Sequence, residues 1–270
     1  MQHKELTLPT FTPIPPEHPR YHSLVEREKL IHQVDKGVVA LAGLVAHGRG
    51  ETFDYLLGEA THEFAHRAIQ VAAASLLLAK HPVISVNGNV AALCPEPLVQ
   101  LAHDARVLLE VNLFYRSPGR AEKIAQILKS YGATQVLGLD DEATATIPEL
   151  LSERRRVSPQ GILIADWVFV PLEDGDRTEA LVKMGKTVVT VDLNPLSRTA
   201  RRSTITIVDN ITRALPLLVE ELKRLKGLAR SEWERLLAHY HHGEVLSAAL
   251  KHLQHRLGQL AQDFKEGRLD

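Results

Sequence analysis

Short apolar runs alternate with amphipathic stretches through the middle of the chain. The apolar runs cover residues 82–87, 107–114, 134–139, 161–172, 187–193 and 203–209, and helical periodicity occurs at 95–104, 119–130, 177–185 and 211–226. Continuous apolar strands separated by helices of about ten residues are typical of a mainly parallel sheet covered on both faces. The pattern therefore predicts an α/β fold with helices on both sides of one sheet.

One strand pair leaves two arrangements open. Only nine residues separate the run 187–193 from the run 203–209, and this is short for the helical crossover that usually joins parallel strands. The pair is therefore expected to be antiparallel or to be joined by an irregular loop.

The N-terminal part of the chain has a different pattern. Residues 1–19 carry five prolines, which predict an extended arm laid over the surface. An amphipathic helix is predicted from Ser23 to Gly37. The helix-former run 61–80 is apolar enough to be largely buried.

The C-terminal part predicts further helices. Residues 231–268 repeat leucine at helical spacing, so we expect a helical pair that packs on the core or on a second subunit. We therefore expect one domain over residues 1–230, including the N-terminal helices, and a helical extension over 231–270.

Composition narrows the class of partner. The chain has 44% apolar residues, 24% charged residues and a formal net charge of −1, so no global field attracts nucleic acid or an acidic membrane. No run of about 18 apolar residues and no apolar leader occurs, which predicts a cytoplasmic protein without membrane contact. Cys94 is the single cysteine, which excludes an intrachain disulfide, and its apolar surroundings predict a core residue.

Asparagine or aspartate follows five of the predicted strands in succession. These residues are Asn87 and Asn89, Asn112, Asp174 and Asp176, Asp192 and Asn194, and Asp209 and Asn210. In an open parallel sheet, ligands bind beyond the carboxyl ends of the strands, near the point where the strand order reverses. One such residue is typical of a turn, whereas five indicate a shared polar site.

Two histidine patterns suggest metal binding and are interpreted otherwise. His62 to His66 reads H-E-x-x-H, a spacing that can bind zinc from one helical face, but no further acidic residue occurs before Glu96. A chance pair on a helix surface is the favoured interpretation, and a zinc hydrolase stays as an alternative enzyme class. The histidines at 239, 241, 242, 252 and 255 lie on a polar helical stretch, which favours solvent exposure. We therefore predict no metal ligand among these histidines.

Three segments offer groups that bind anions or cations. Arg49 is flanked by glycines, which is typical either of a phosphate-binding turn or of a turn with an exposed arginine. Asp176 with Glu179 resembles a capping box, and the carboxylates of this loop can also hold Mg²⁺ or a substrate ammonium. Asp192 and Asn194 can bind ribose hydroxyls and a base edge, and the arginines that follow suit a polyphosphate.

Several strings resemble one known family, in order from about residue 13 to 226. They are HPRYHSLVERE, HGRGETFDYLLGE, VISVNGNVAAL, VPLEDGDRTEALVKMGK and VDLNPLSRTARRSTITIVDNITRA, and they are similar to the archaeal-type 4-phosphopantoate–β-alanine ligase, or phosphopantothenate synthetase. The resemblance implies a Rossmann-like fold and a homodimer. It also implies the conversion of 4-phosphopantoate, β-alanine and ATP to 4′-phosphopantothenate, AMP and pyrophosphate in coenzyme A biosynthesis.

The resemblance also implies site residues. Family positions for ATP binding fall on Arg27, Arg49, Asp192, Leu193, Asn194, Arg198, Thr199, Asn210 and Ile211. We expect an acyl-adenylate route assisted by Mg²⁺, with no evident general base. Asn87, Asp176 and Lys186 are the candidates for catalytic residues and for binding the second substrate or the metal. The non-enzymatic alternative is a nucleotide-sensing module that signals through its helical tail.

Overall fold

The computed structural model describes residues 13–268. Most of the predicted proline-rich arm, residues 1–12, lies outside the described residues, and residues 13–20 lead through turns into the first helix. The helices and strands follow in the order α1 Tyr21–Asp35, α2 Leu41–Leu57, α3 Glu63–Leu78, β1 Pro82–Val86, α4 Gly88–Leu93, α5 Pro95–Ala105, β2 Leu108–Val111, α6 Arg120–Ser130, β3 Val136–Leu137, β4 Ala145–Thr146, β5 Arg156–Val157, β6 Trp167–Phe169, α7 Gly175–Lys183, β7 Thr187–Val191, α8 Arg198–Arg202, β8 Ile205–Ile207, α9 Ile211–Lys226, α10 Arg230–Ala238 and α11 His242–Lys265.

Six strands form one sheet in the order β3-β2-β1-β6-β7-β8, and every neighbouring pair is parallel. The chain moves outward from β1 to β3 and then returns to β6 on the other side of β1. The strand order therefore reverses between β1 and β6, which is the topological switch point of a Rossmann-like sheet. The predicted α/β fold is confirmed.

The sequence left open how the strands β7 and β8 are arranged, and the structure answers this question. The two strands are parallel, with Val189 opposite Ile205 and Val191 opposite Ile207. The prediction of an antiparallel pair is wrong because α8, a helix of five residues, reverses the chain within the nine-residue connection. A single helical turn is enough to return the chain to the start of the next strand.

Helices and loops cover both faces of the sheet. Alternate strand residues point to opposite faces, so Ile84 and Val86 join the core that contains α3, α5 and α9, while Val83 joins the core beneath α7 and residues 140–165. Cys94 is buried, and burial raises the pKa of its thiol to about 12. The interpretation of Cys94 as a core residue is confirmed.

The C-terminal helices pack on this domain. Val245, Ala249 and Leu253 form one buried stripe of α11, and this stripe joins the core that contains α3. His252 of α11 lies 3.9 Å from the ring of His62, and the Nε2 atoms of both rings lie within 3.0 Å of the Leu57 carbonyl. The end of α2 is therefore tied to α11. Within residues 13–268, no helix is both long and apolar enough to cross a membrane.

Some boundaries differ from the prediction. The predicted strand at 161–172 shortens to Trp167–Phe169, because residues 158–162 form turns around the buried carboxylate of Glu110. That carboxylate accepts hydrogen bonds from the backbone N–H groups of Ser158 (2.9 Å) and Ile162 (2.6 Å). Helices α2 and α4 and the hairpin β4–β5 were not predicted, and three glycines in α2 explain why its helical character is weak in the sequence.

Candidate active site

A cavity of about 1170 Å³ lies at the carboxyl edge of the sheet. Its floor is formed by the residues that follow five strands: 87–89 after β1, 113–115 after β2, 172–175 after β6, 192–194 after β7 and 210–213 after β8. Helices α1 and α2 form the opposite wall. The expected shared polar site is therefore a real concavity, large enough for a nucleotide and a second substrate.

Helix α2 crosses the strand ends in the order of the sheet. The Gly43 carbonyl accepts a hydrogen bond from Asn89 Nδ2 after β1 (2.9 Å), and a Cβ at Gly43 would lie 2.3 Å from Asn89 Oδ1. A Cβ at Gly50 would lie 3.8 Å from Leu193 after β7. Asp54 accepts a hydrogen bond from Asn210 after β8 (3.0 Å). Glycine at position 43 is therefore what lets the helix approach the sheet edge.

Asp192 is held in place by its own loop. Its Oδ1 accepts the backbone N–H of Asn194 (2.9 Å), and the Ser197 hydroxyl donates to its Oδ2. Burial raises the pKa of Asp192, while these hydrogen bonds and the nearby Arg49 guanidinium act in the opposite direction. The carboxylate is thus oriented before any ligand arrives, with a cation close by.

Asn210 connects the end of β8 to α1 and α2. Its Oδ1 accepts the backbone N–H of Thr212 (3.1 Å), so the side chain caps α9, and its Nδ2 donates to Glu26 (3.2 Å) and Asp54 (3.0 Å). Arg213 donates hydrogen bonds to Asp54 (2.6 Å) and to Asp209 (2.7 Å), which follows β8. Burial lowers the pKa of the Arg213 guanidinium, but these two carboxylates outweigh that effect and raise it. This network fixes the α1–α2 wall relative to the sheet.

A buried ion cluster supports the floor at the switch point. The Glu173 carboxylate is fully buried, and it accepts hydrogen bonds from Arg177 (2.9 Å), Ser85 Oγ (3.0 Å) and Arg154. Burial lowers the pKa of both guanidiniums to about 10. Arg154 also forms an ion pair with Asp174, with Nε 2.8 Å from the carboxylate. The cluster therefore fixes Arg154, which lines the cavity, to the loop after β6.

Most of the residues that the resemblance assigns to ATP are gathered at this cavity. Arg49, Asp192, Leu193, Asn194, Thr199, Asn210 and Ile211 all line it. Two side chains are directed elsewhere in this structure. Arg27 forms a bidentate ion pair with Glu51 (2.6 and 3.0 Å), and the exposed Arg198 is paired with Glu179 (2.7 Å).

The three candidates for the second substrate or the metal have different positions. Asn87 lines the cavity, but it caps α4 and donates to the carbonyls of Pro171 (3.1 Å) and Leu172 (3.2 Å). Asp176 is exposed on the first turn of α7, outside the cavity. Lys186 precedes β7 at the amino edge, where its ammonium donates to the carbonyls of Leu163 (2.9 Å) and Ala165 (2.6 Å). Lys186 is therefore a structural cation at the edge of the sheet opposite to the cavity.

Three local expectations are corrected by the backbone. Gly48, Arg49 and Gly50 lie inside α2 and form no turn, because tertiary contacts along this helix outweigh its weak propensity. Asp174, not Asp176, is the N-cap of α7, and no side chain caps that helix. The predicted turn after β1 is the first turn of α4, with Asn87 as its N-cap.

The histidine patterns do not form a metal site. His62 is the N-cap of α3 and packs on His252, while His66 is exposed. No group of three His, Cys, Asp or Glu side chains suited to a metal occurs among the residues from 13 to 268. Burial lowers the pKa of His242, whose Nε2 lies 3.1 Å from Thr206 Oγ1. Solvent exposure, predicted for the C-terminal histidines, is therefore wrong for His242 and His252, which are half-buried.

Three cations on the cavity wall have no carboxylate partner within the described residues. They are Lys29, Arg49 and Arg120. The Arg120 guanidinium is half-buried, it donates to the carbonyls of Val38 (3.1 Å) and Tyr115 (2.5 Å), and burial lowers its pKa. A desolvated guanidinium without a counter-charge favours an anionic ligand. The arrangement is suited to binding molecules that carry several negative charges.

Sequence reasoning missed the contribution of α2 and of the loop that carries Arg154. Positions 43, 47, 50 and 54 follow the spacing of one helical face, and that spacing was the available signal. The three glycines obscured it, because they predicted a turn in place of a helix. No signal in the sequence indicates that Arg120 and Arg154 reach the same cavity.

Comparison with known proteins identifies close relatives. The family model described as phosphopantothenate/pantothenate synthetase matches residues 64–256. A 4-phosphopantoate–β-alanine ligase from Thermococcus kodakarensis is 54% identical over 93% of this chain and 95% of its own length. Proteins of the same name from Methanosarcina mazei and Methanospirillum hungatei are 49% and 46% identical, over 93% and 90% of this chain and 98% of their own lengths in both cases.

Proposed function

The chain belongs to the phosphopantothenate/pantothenate synthetase family, and we propose that it condenses 4-phosphopantoate with β-alanine to give 4′-phosphopantothenate in coenzyme A biosynthesis. We further propose that the reaction consumes ATP and releases AMP and pyrophosphate. The observation that carries the proposal is identity of 46–54% to ligases of that name over at least 90% of this chain. The cavity supports it, because unpaired cations line its wall.

The nucleotide is assigned to the β7–β8 side of the cavity. Asp192 and Asn194 are oriented there by backbone and hydroxyl contacts, and a carboxylate with an amide suits ribose hydroxyls and a base edge. Arg49 lines the same cavity as Asp192 and has no carboxylate partner among residues 13–268, which suits the phosphates. The described residues hold no three-carboxylate cluster, so Mg²⁺ is expected to enter with the phosphates and to neutralise part of their charge.

The acid substrate is assigned to the β1–β2 side. 4-Phosphopantoate carries a phosphate and a carboxylate, and this side offers Arg120 and Arg154. Planar guanidiniums match the oxygens of such groups. The carboxylate would attack the α-phosphorus of ATP, because AMP then becomes the leaving group that a free carboxylate lacks. The protein contributes mainly positioning and charge neutralisation.

The reaction is tested by following AMP in a coupled assay with ATP, 4-phosphopantoate and β-alanine. AMP that appears only when both the acid and the amine are present supports the ligase and excludes a nucleotide-sensing module. Positional isotope exchange tests the adenylate. With 4-phosphopantoate and no β-alanine, the α,β-bridging oxygen of ATP should scramble, and an absence of scrambling would contradict the adenylate route.

Arg198 is predicted to turn toward ATP when the nucleotide binds. Its neighbours Ser197 and Thr199 line the cavity, and its exposed pairing with Glu179 contributes little to stability, since exposed ion pairs are weak. We expect Arg198→Ala to raise the KM for ATP about 10- to 100-fold, the loss of one charged hydrogen bond or two. The KM for 4-phosphopantoate should stay within about 3-fold, since that substrate is assigned to the other side.

The matched control is Arg202→Ala. Arg202 lies on the same short helix and also approaches Glu179 (3.9 Å), but it does not line the cavity. Its removal should leave both KM values unchanged. Equal effects of the two substitutions would contradict the assignment of Arg198 to ATP.

A homodimer and a cytoplasmic location complete the proposal. Leu41 and Val45 lie one turn apart on α2 and are 70% and 75% exposed. Apolar side chains exposed together on one helix are typical of an interface. We propose that a second copy covers them. Light scattering of the purified protein would give the mass of two chains, and Val45→Glu should shift the distribution toward one.

A further inference from the structure

His47 lies on the face of α2 that crosses the sheet edge. Gly43, His47, Gly50 and Asp54 are spaced by four, three and four residues, so their side chains project from one face. Three of these positions contact the ends of known strands: Gly43 that of β1, Gly50 that of β7 and Asp54 that of β8. His47 therefore lies between the helix position at the end of β1 and the helix position at the end of β7.

The rise of the helix indicates that residue 47 lies nearest the end of β6. From Gly43 to Asp54 the helix rises about 16 Å, and the three strand spacings from β1 to β8 span about 14 Å, so α2 advances along the edge at nearly one strand per turn. His47 is four residues, or about 6 Å, beyond Gly43. The strand next to β1 is β6, and His47 lines the cavity together with Glu173 and Asp174, which follow β6. This spacing indicates that His47 lies near the topological switch point, between the two proposed substrate sides.

The ring has no partner of its own. Its Nε2 is shielded from solvent without a hydrogen bond inside the described part of the chain, and Nδ1 also makes no hydrogen bond there. A buried polar atom without a partner is costly. With its hydrogen on Nε2, the neutral ring would offer the Nδ1 lone pair to a molecule in the cavity.

Charged groups surround the ring from α1 and α2. Burial lowers the pKa of His47 below its usual value of 6.5, Arg27 acts in the same direction, and Glu26, Glu51 and Asp54 oppose it. Elsewhere on the cavity lining, Glu173 and Asp174 are both paired with Arg154. At neutral pH the ring is therefore an uncharged base, and nearby carboxylates can stabilise the imidazolium that forms when it gains a proton.

The proposed reaction needs such a base. An alkylammonium group has a pKa of about 10.4, and the amine nitrogen of β-alanine must lose a proton as it becomes an amide. The other carboxylates on the floor are already engaged: Asp192 with Ser197 and Asn194, and Glu173 with two arginines. His47 is the titratable side chain at the switch point that keeps a free acceptor within residues 13–268.

We propose, on the basis of the ligase function proposed above, that His47 is the general base for amide formation. The lone pair of the neutral β-alanine amine attacks the carbonyl carbon of the acyl-adenylate, and a C–N bond forms. As it forms, the proton on nitrogen passes to Nδ1 of His47. The C–O bond to the adenylyl phosphate then breaks, its electron pair leaves with AMP, and the imidazolium returns its proton to solvent.

Partial reactions separate this role from a structural one. In His47→Gln, exchange of labelled pyrophosphate into ATP, with 4-phosphopantoate and without β-alanine, should stay within about 3-fold of wild type. AMP formation with β-alanine should fall about 10²- to 10⁴-fold, the usual contribution of a general base. Hydroxylamine, whose adduct gives up its proton to water more readily, should recover most of the lost rate. His66→Gln, at an exposed position of α3, is the control and should match wild type in all three measurements.

The pH profile gives a second readout. Below the pKa of His47 both the base and the β-alanine amine are protonated, so log kcat/KM for β-alanine should rise with pH at a slope of about 2 and then of about 1. In His47→Gln the slope should be about 1 throughout. If His47→Gln lost pyrophosphate exchange and AMP formation to the same extent, or if it formed AMP with β-alanine at the wild-type rate, His47 would not be the general base. Neither result would contradict the ligase function. Absence of AMP from the wild-type protein would overturn the ligase proposal and this inference with it.

Discussion

Replacing Glu173 with alanine is expected to lower the free energy of unfolding by about 3–5 kcal/mol, the usual cost of removing one partner from a buried ion pair. The Glu173 carboxylate is fully buried between Arg154 and Arg177, whose side chains are 8% and 0% exposed. Its removal would leave Arg177 without an ion-pair partner among the described residues, and it would leave Arg154 with Asp174 alone. The mutual repulsion of the two guanidiniums adds to the cost of desolvation.

Urea denaturation measures this effect through the midpoint and the slope of the transition. Glu173→Gln keeps the shape of the side chain and removes the charge, so it should lose a large part of the same stability. Glu220→Ala is the control, because Glu220 is an exposed residue of α9, and its effect should be within about 0.5 kcal/mol. If Glu173→Ala also changed the free energy of unfolding by only about 0.5 kcal/mol, the ion cluster would not be what stabilises the floor of the cavity.

The second large effect is expected for Arg49→Ala, which should lower kcat/KM for ATP about 10²- to 10³-fold, or roughly 3–4 kcal/mol of transition-state stabilisation. Arg49 and Asp192 both line the cavity, and the Arg49 guanidinium acts to lower the pKa of the Asp192 carboxyl group, which burial raises. Its guanidinium has no carboxylate partner in the described part of the chain, so no internal salt bridge has to break before it binds phosphate.

Steady-state kinetics with ATP as the varied substrate measure this loss. Arg49→Lys should recover only part of the activity, since a single ammonium cannot replace a planar fork. Arg235→Ala, on the exposed surface of α10, should behave as wild type. A rate for Arg49→Ala within a few-fold of wild type would contradict the placement of the phosphates beneath α2.

The sheet was predictable from the sequence because its signal is local. A strand buried on both faces needs an unbroken apolar run, and each of the six runs contains a strand of the observed sheet. Helix α2 was not predictable for the opposite reason. Its glycines at 43, 48 and 50 disfavour a helix in isolation, and what stabilises the helix is contact with residues far away in sequence, such as Asn89 and Asn210.

The residues that line the cavity also divide into those that the sequence could predict and those that it could not. Those that directly follow a strand, such as Asp192 and Asn210, could be found because every carboxyl end of a parallel sheet faces the same edge. Lys186 is also close to a strand in sequence, but it precedes β7 and therefore lies at the other edge. Arg154 lies in the segment between β4 and β5, and Arg120 is the first residue of α6. No sequence spacing predicts that these two residues reach the cavity.

The sequence by itself determined the fold class, the edge of the sheet at which the cavity lies and the family, because each depends on patterns within a few dozen residues or on long matching strings. The tertiary structure alone decided that α2 lies across the strand ends, that His47 lines the cavity and that Glu173 is enclosed by two arginines. These facts depend on contacts between elements far apart in the chain. Such contacts are stabilised by burial and charge pairing that no local pattern specifies.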